Sequence, residues 1–530
     1  MPTLRSYTLL TIVILLALSV SCKVATVPAQ ATPKLPTVIE TDSPPTSLPA
    51  LQPTRLPATT PASQRNPAPK PTHNTRAQTN NQGSSATQNI SFEVPAHPID
   101  VILGRPTDKS ITASVLTYQD AEGYLEYGPA PDNFACQTPL TNFIANQPVE
   151  ILIEGLQTNS TYAYRVRYRT GTTGAYAATE PETFSTQRTA DSPFTFTIQA
   201  DSHLDSNSNP QVYQQTLANQ RTDQPDFVID LGDTFMTDKF KPFTAAELQY
   251  LAQRYYLSLI GQAAPLFLVL GNHDGEGAPK GNSGQEMSIW SAKLRTQLFP
   301  NPIPDGFYTG NATPEQTINN LENYYAWEWG DALFIVLDPY WFTPPLRDDS
   351  SLWTPTLGET QYRWLKNTLE TSQSKWKFVF IHQLIGGYDK NGRGGVEVAP
   401  FYEWGGNNAD GSYGFDTQRP GWGLPIHQLL VANNVTAVFH GHDHLFIKQE
   451  LDGIIYQEVP QPSASRSNGT NSAVEYGYLN GDVLGSSGHL RVSVTSELVT
   501  VEYVRAYLPQ DERAGQQNGQ VDYRFTISNP

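Results

Sequence analysis

The stretch Phe194-Thr195-Phe196-Thr197-Ile198-Gln199-Ala200-Asp201-Ser202-His203 decides how this chain reads. A short apolar run rich in β-branched and aromatic residues predicts a strand, and this one ends on a carboxylate and an imidazole. The same form recurs along the chain. Phe227-Val228-Ile229 runs into Asp230-Leu231-Gly232-Asp233, and residues 266–270 run into Gly271-Asn272-His273-Asp274. Residues 378–381 end at His382, and Ala437-Val438-Phe439 ends at His440-Gly441-His442-Asp443-His444. Helical patterns lie between the runs, so the segment reads as an α/β domain whose strands deliver polar groups at their carboxyl ends, where open α/β sheets place their sites. One such helix is expected over residues 244–260. It would open with the capping box Thr244-Ala245-Ala246-Glu247 and bury a stripe of Leu248, Leu251, Tyr255 and Leu259.

Neutral imidazoles, carboxylates and one amide oxygen together make a donor set suited to Zn, Fe or Mn, and a carboxylate can bridge two cations about 3.5–4 Å apart. Six of the ten histidines fall in these motifs, a concentration that scattered core histidines would not show. Among them, His440 ends an apolar run and reads as a packed or ligand-supporting residue. His427 reads as surface, and His73, His97 and His489 lack motif context. Asp205, Asp230, Asp274 and Asp443 flank the motifs and are expected to hydrogen-bond ligands or cap loops. Tyr388, Arg393, Tyr402, Trp404 and Trp422, in the long loops around the last two motifs, either line a substrate cleft or pack those loops.

The ordered set Asp-x-His, Gly-Asp, Gly-Asn-His-Asp, a lone His after an apolar run, and Gly-His-x-His resembles the calcineurin-like metallophosphoesterases. With the β-rich region that precedes it, the whole looks like purple acid phosphatase and its bacterial relatives. The resemblance implies two packed mixed sheets flanked by helices, an αββα domain. It further implies that Asp201, His203 and His444 bind one metal, that Asn272, His382 and His442 bind the other, and that Asp233 bridges them. His273 would be the catalytic residue acting on the leaving group or on transition-state charge. The metals would be two divalent or trivalent ions, Fe, Zn or Mn. The implied reaction is hydrolysis of a small phosphate ester by metal-activated hydroxide, most simply as a phosphomonoesterase. The alternatives are a phosphodiesterase or nucleotidase with the same site, or a surface binding protein that has lost catalysis. The tyrosine that colours the purple enzymes follows Gly-Asp by three positions, where this chain has Met236 with Phe235 beside it; a colourless site is expected.

Upstream of the motifs the pattern changes to period two. In residues 160–170, Tyr162, Tyr164, Val166 and Tyr168 alternate with Ala163, Arg165, Arg167 and Arg169, the mark of a half-buried antiparallel strand. Similar short runs fill residues 90–188 and predict an all-β sandwich. Residues 156–166 resemble the fibronectin type III signature around its tyrosine corner. The arginine stripe reads as a solvated sheet face.

The 42 prolines crowd the early part of the chain. Residues 23–89 are Pro, Thr, Ser, Ala, Gln and Asn with almost no aromatic side chain, too little apolar area to offset ordering entropy, so they read as a disordered spacer. Ahead of it, Arg5 precedes an apolar run over residues 9–18 that is too short to span a bilayer, followed by small residues and Cys22. Residues 1–22 therefore resemble a bacterial lipoprotein signal, with Ser19 where leucine is usual. The expected location is outside the cytoplasm, facing periplasm or cell surface and tethered to the membrane by lipid on Cys22; a secreted, soluble form is the alternative. The domain boundaries expected are thus 1–22, 23–89, 90–188 and 192–530. Two cysteines are too few for a disulfide framework, and Cys136 is expected to be a free buried thiol. A formal net charge of −17 argues against general nucleic-acid binding.

Overall fold

The computed structural model describes residues 94–528 apart from 172, 282, 348–349, 388–390 and 465–468. The signal, the lipid-bearing Cys22 and the spacer lie outside the described residues.

Among the described residues, the N-terminal part forms antiparallel sheets. Ile99–Gly104, Ser110–Thr117 and Val149–Glu154 make one of them. Ala121–Pro129 and Thr161–Thr170 form the centre of the other. Alternation decides the packing: Tyr162, Tyr164 and Val166 turn inward against Ile111, Val115, Leu125 and Phe184. On the opposite face Arg165 donates to Glu126 at 2.6 Å and Arg169 to Glu122 at 2.7 Å, so the stripe is neutralised by the neighbouring strand. Tyr162 accepts at its hydroxyl from the Gln157 amide at 2.8 Å, tying the corner that leads into its strand. Cys136 departs from expectation. It is disulfide-bonded rather than free, and its partner lies outside the described residues.

From Phe194 onward two mixed sheets face each other. In the first, Phe194–Gln199, Phe227–Asp230 and Leu266–Leu268 run parallel, and Phe194–Gln199 pairs antiparallel on its other side with Gly488–Val494. In the second, Ala332–Val336, Trp376–Phe380 and Ala437–His440 run parallel. Between them lies a core of aromatic and branched side chains, with Phe196, Phe227 and Phe267 of the first sheet meeting Trp327, Phe334 and Phe378 of the second. Helices Pro210–Thr222 and Glu247–Gly261 cover the outer face of the first sheet, and Glu359–Thr371 and Ile426–Ala432 that of the second. This is an αββα layering. Ile102 and Leu116 of the N-terminal sheets join the first sheet's helical layer, and the Tyr164 hydroxyl donates to the Gln262 carbonyl at 2.6 Å.

The helix expected over residues 244–260 differs in detail. A 3₁₀ turn at Phe243–Ala246 precedes the α-helix, and no side chain caps it. Leu248 is 67% exposed, and the buried face is formed by Tyr250, Gln253, Leu257 and Ile260. Tertiary packing buries most deeply the face that carries aromatic stacking, Tyr250 on Phe235 at 3.7 Å, while Leu251, Tyr255 and Leu259 of the expected stripe pack partly buried against the same core. His427, expected at the surface, is buried between the Tyr456 hydroxyl at 2.8 Å and Asp452 at 3.0 Å.

Candidate metal centre

Because the strands run parallel, their carboxyl ends meet at one edge of the two sheets. Asp201 and His203 follow Phe194–Gln199, and Asp233 follows Phe227–Asp230. Asn272 and His273 follow Leu266–Leu268, His382 follows Trp376–Phe380, and His442 and His444 follow Ala437–His440. Asp201, His203, Asp233, His442 and His444 all hold positive φ, from 50° to 83°. Left-handed backbone costs a non-glycine residue roughly 1–2 kcal/mol, and such strain collects where function over-determines the geometry. Glycines let the loops close on one another. A Cβ on Gly271 would lie 2.0 Å from the Asp233 amide nitrogen, and one on Gly441 would lie 2.8 Å from Asp201 Oδ2.

The donor atoms gather in two triads, Asp201-His203-His444 and Asp233-His382-His442, each with its ligand atoms within 4.8 Å of one another. In the first, Asp201 Oδ1 is 3.7 Å from His203 Nε2 and 3.4 Å from His444 Nε2. In the second, Asp233 Oδ2 is 3.4 Å from His382 Nε2, and Asn272 Oδ1 is 3.2 Å from the same nitrogen. Asp233 Oδ2 is also 3.8 Å from His203 Nε2, which sets this carboxylate between the triads.

The remaining polar atoms are occupied so as to leave these facing inward. His382 Nδ1 donates to the Leu231 carbonyl at 2.8 Å, and His442 Nε2 to the Asn391 carbonyl at 2.7 Å. His203 Nδ1 lies 3.5 Å from Asp205. Asp201 Oδ2 accepts the His442 amide at 2.9 Å, and Asp233 Oδ1 accepts the His273 amide at 2.7 Å. Partners of this kind orient metal-binding imidazoles. Asp201 Oδ1 and His203 Nε2 are buried with no hydrogen-bond partner, an arrangement that costs free energy unless a cation satisfies it. The residues therefore fit a pair of metal ions.

Electrostatics point the same way. Burial works against a charged imidazole, yet Asp201, Asp205 and Asp233 lift His203 to about 10, and Asp233 and Asp201 lift His382 to about 9. Burial likewise opposes ionisation of Asp201 and Asp233, but the surrounding imidazoles hold both below the ordinary carboxylate range. Carboxylates that keep protons on buried imidazoles attract positive charge strongly, and bound cations would displace those protons.

The flanking groups sort themselves. Asp274 accepts the Gly271 and Phe235 amides at 2.6 and 2.8 Å, and Asp230 accepts the Thr234 hydroxyl at 2.5 Å. Asp443 accepts from Arg393 at 2.8 Å and from the Tyr478 hydroxyl at 2.8 Å. His440 sits 2.7 Å from Glu458, both fully enclosed. Burial pushes the imidazole down to about 3 and the carboxyl up, disfavouring the charged form of each. Trp404 and Trp422 pack in the outer core of the second sheet, whereas Tyr388 lies outside the described residues. Sequence reasoning missed Asp238, which holds His273 Nδ1 at 2.9 Å. Its place five residues after Asp233 belongs to no motif, so no signal marked it.

Fold and donor groups together define a metallophosphoesterase, a hydrolase of phosphoric esters. Residues 194–446 match the family model described as calcineurin-like phosphoesterase. No curated protein matches it in sequence. Among the solved structures that share the fold are that of PhoD, at 15% identity with 83% of this chain and 92% of that one covered and a TM-score of 0.57, and purple acid phosphatase PPD1 from yellow lupin (Lupinus luteus) seeds, at 16% identity, 81% and 74% coverage and a TM-score of 0.54.

Proposed function

We propose that this protein is a dinuclear-metal-dependent phosphomonoesterase in which Asp201, His203 and His444 hold one cation, Asn272, His382 and His442 hold the other, and Asp233 bridges. The observation that supports this most is the position of Asp233 Oδ2, 3.4 Å from His382 Nε2 and 3.8 Å from His203 Nε2. Two bound cations would supply an activated water and neutralise oxyanion charge on the phosphoryl group.

The chain's own residues do the rest. His273 is held by Asp238 through Nδ1, which leaves Nε2 turned toward Asp233 at 3.9 Å. In that position Nε2 can carry a proton to a departing alkoxide. Phe235 and Met236 are buried and bring no phenolate to the centre. The protein acts outside the cytoplasm, with a fibronectin type III-like module before the catalytic domain; it is membrane-anchored if Cys22 carries lipid, and secreted if Cys22 is the cysteine bonded to Cys136. A panel of phosphomonoesters, phosphodiesters and nucleotides assayed with defined Fe, Zn and Mn tests the reading. Metal-dependent turnover should be greatest on monoesters. Preference for diesters would give the protein to the phosphodiesterase alternative, and no turnover with any metal would leave only the binding-protein reading.

A further inference from the structure

In the segment Asp201-Ser202-His203-Leu204, Asp201, His203 and Leu204 hold left-handed backbone, with φ of 61°, 53° and 53°. Asp233, in the neighbouring loop, has a φ of 50°. Non-glycine residues keep such a conformation only where their surroundings over-determine it. Here the helix Glu247–Gly261 does so. Gln249 and Gln253 lie one turn apart on its inner face, both fully buried, and each joins the same two loops. Gln249 donates from Nε2 to the His203 carbonyl and accepts the Met236 amide at 2.8 Å through Oε1. Gln253 donates from Nε2 to the Ser202 hydroxyl at 3.0 Å and to the Thr234 carbonyl at 2.7 Å. Behind them Arg254 donates to the Ser114 carbonyl at 2.9 Å, which ties the helix to the N-terminal sheets.

These two rungs bear unequally on the two triads. They grip the loop of Asp201 and His203 and set it against the loop of Asp233, where His203 Nε2 is 3.8 Å from Asp233 Oδ2. The other donors have their own supports. His382 is held by the Leu231 carbonyl and His442 by the Asn391 carbonyl, and Asp233 Oδ1 accepts the His273 amide at 2.7 Å.

We propose that Gln249 and Gln253 are positioning residues for one cation of the pair, the one assigned to Asp201, His203 and His444. By spanning the two loops they fix His203 against Asp233 and so set the affinity of that site. The inference rests on the two-cation reading above. A glutamine amide matches the gap at Gln249, because one loop offers a carbonyl and the other an N–H. With an apolar side chain there, both backbone groups would be buried without partners, and the loops would move to satisfy them.

The test is a manganese(II) titration of the full-length protein, read by electron paramagnetic resonance and elemental analysis. The wild type should take up two ions and show the signal of a spin-coupled pair. Gln249→Met keeps an unbranched side chain of similar volume and removes both hydrogen bonds. It should bind one ion as the wild type does and the other at least about tenfold more weakly. An isolated-ion signal should then persist where the wild type is fully paired. Gln253→Met should act in the same direction. Adding His203→Ala to Gln249→Met should change little, whereas adding His382→Ala should remove the remaining ion. Leu257→Ala, one turn further along the same buried face, controls for loosening of the helix: its Tm should fall while both ions stay. Equal weakening of both sites by Gln249→Met, unchanged binding, or loss of one ion from Leu257→Ala would overturn the positioning role. A wild type that holds no more than one ion of manganese, zinc or iron would overturn the two-cation reading instead.

Discussion

His273 and Asp238 form a pair across two loops, with Nδ1 of the imidazole 2.9 Å from Oδ2 of the carboxylate. The pair fixes which imidazole nitrogen faces the centre, because a nitrogen that donates to Asp238 leaves the other free. His273→Ala should keep near-normal metal content and slow hydrolysis roughly 10²–10⁴-fold. Alkyl esters should suffer more than nitrophenyl esters, whose leaving group barely needs a proton. Asp238→Asn should show the same ester dependence at smaller amplitude. Equal slowing of both ester types would remove His273 from the leaving-group role.

Asp201 and Asp233 each lie within 4 Å of imidazoles from both triads, and among the described residues Asp233 is the one of the pair that also faces His273. Asp233→Asn should therefore lose metal and turnover together. Elemental analysis of the wild type should return close to two metals per chain, and its visible spectrum should lack a purple charge-transfer band, since Met236 and Phe235 offer no phenolate. A purple band would refute the colourless site.

Gly271→Ala places a methyl group 2.3 Å from Asp233 Oδ1 and 2.0 Å from its amide nitrogen. The loop must move, and Asp233 with it. Metal content should fall below one ion per chain, and stability by on the order of 2 kcal/mol from overpacking. Gly453→Ala, at a positive-φ glycine where nothing lies within 4 Å of the added carbon, should cost less and leave metal content alone.

Glu322 offers a test of pH dependence away from the metals. Burial pushes its carboxyl up to about 8, with Arg105 and Arg295 only partly offsetting this. The unfolded carboxyl ionises near the ordinary 4.5 while the folded one keeps its proton to about 8. The folded state thus binds more protons in that window, and this group's contribution to stability, full below the lower value, is lost as pH rises toward the upper one. The loss is at most roughly 1.4 kcal/mol per pH unit inside the window. Glu322→Gln removes the titration, so its Tm should gain on the wild type between pH 5 and pH 9. A constant difference across that range would count against the shift.

Cys22 separates two chemistries. A sulfur that carries a lipid thioether cannot also join Cys136, which is disulfide-bonded. If the lipid reading holds, Cys22→Ala should release the protein from membranes without abolishing hydrolysis, and mass spectrometry should find the lipid on the N-terminal peptide. Unchanged membrane retention, or a Cys22–Cys136 peptide in a non-reducing digest, would sink the lipid anchor.

The donors of the centre were legible in the chain because each motif is local. A buried strand leaves an apolar run, and the first polar residues after it must lie at the strand's end, whatever the rest of the fold does. That is why Asp201, His203, Asp233, Asn272, His382, His442 and His444 stood out in the sequence as candidates, with the family resemblance supplying their grouping, together with the α/β layering and the alternating strand at Thr161–Thr170. What is not local was decided only by tertiary structure. Asp238 reaches His273 because two loops cross, and a separation of 35 residues leaves no periodic trace. The same holds for the Leu231 and Asn391 carbonyls that orient His382 and His442, since backbone groups are alike in every sequence. The helix Glu247–Gly261 buries Tyr250 and Gln253 most deeply and turns Leu248 outward because Phe235 and the polar groups beneath the helix take ring stacking and hydrogen bonds from that face. His427 went inside because its two nitrogens met Tyr456 and Asp452 there. Sequence alone fixes which atoms can bind and which runs must be buried; which partners satisfy those atoms depends on contacts between distant segments, and these exist only once the chain has folded.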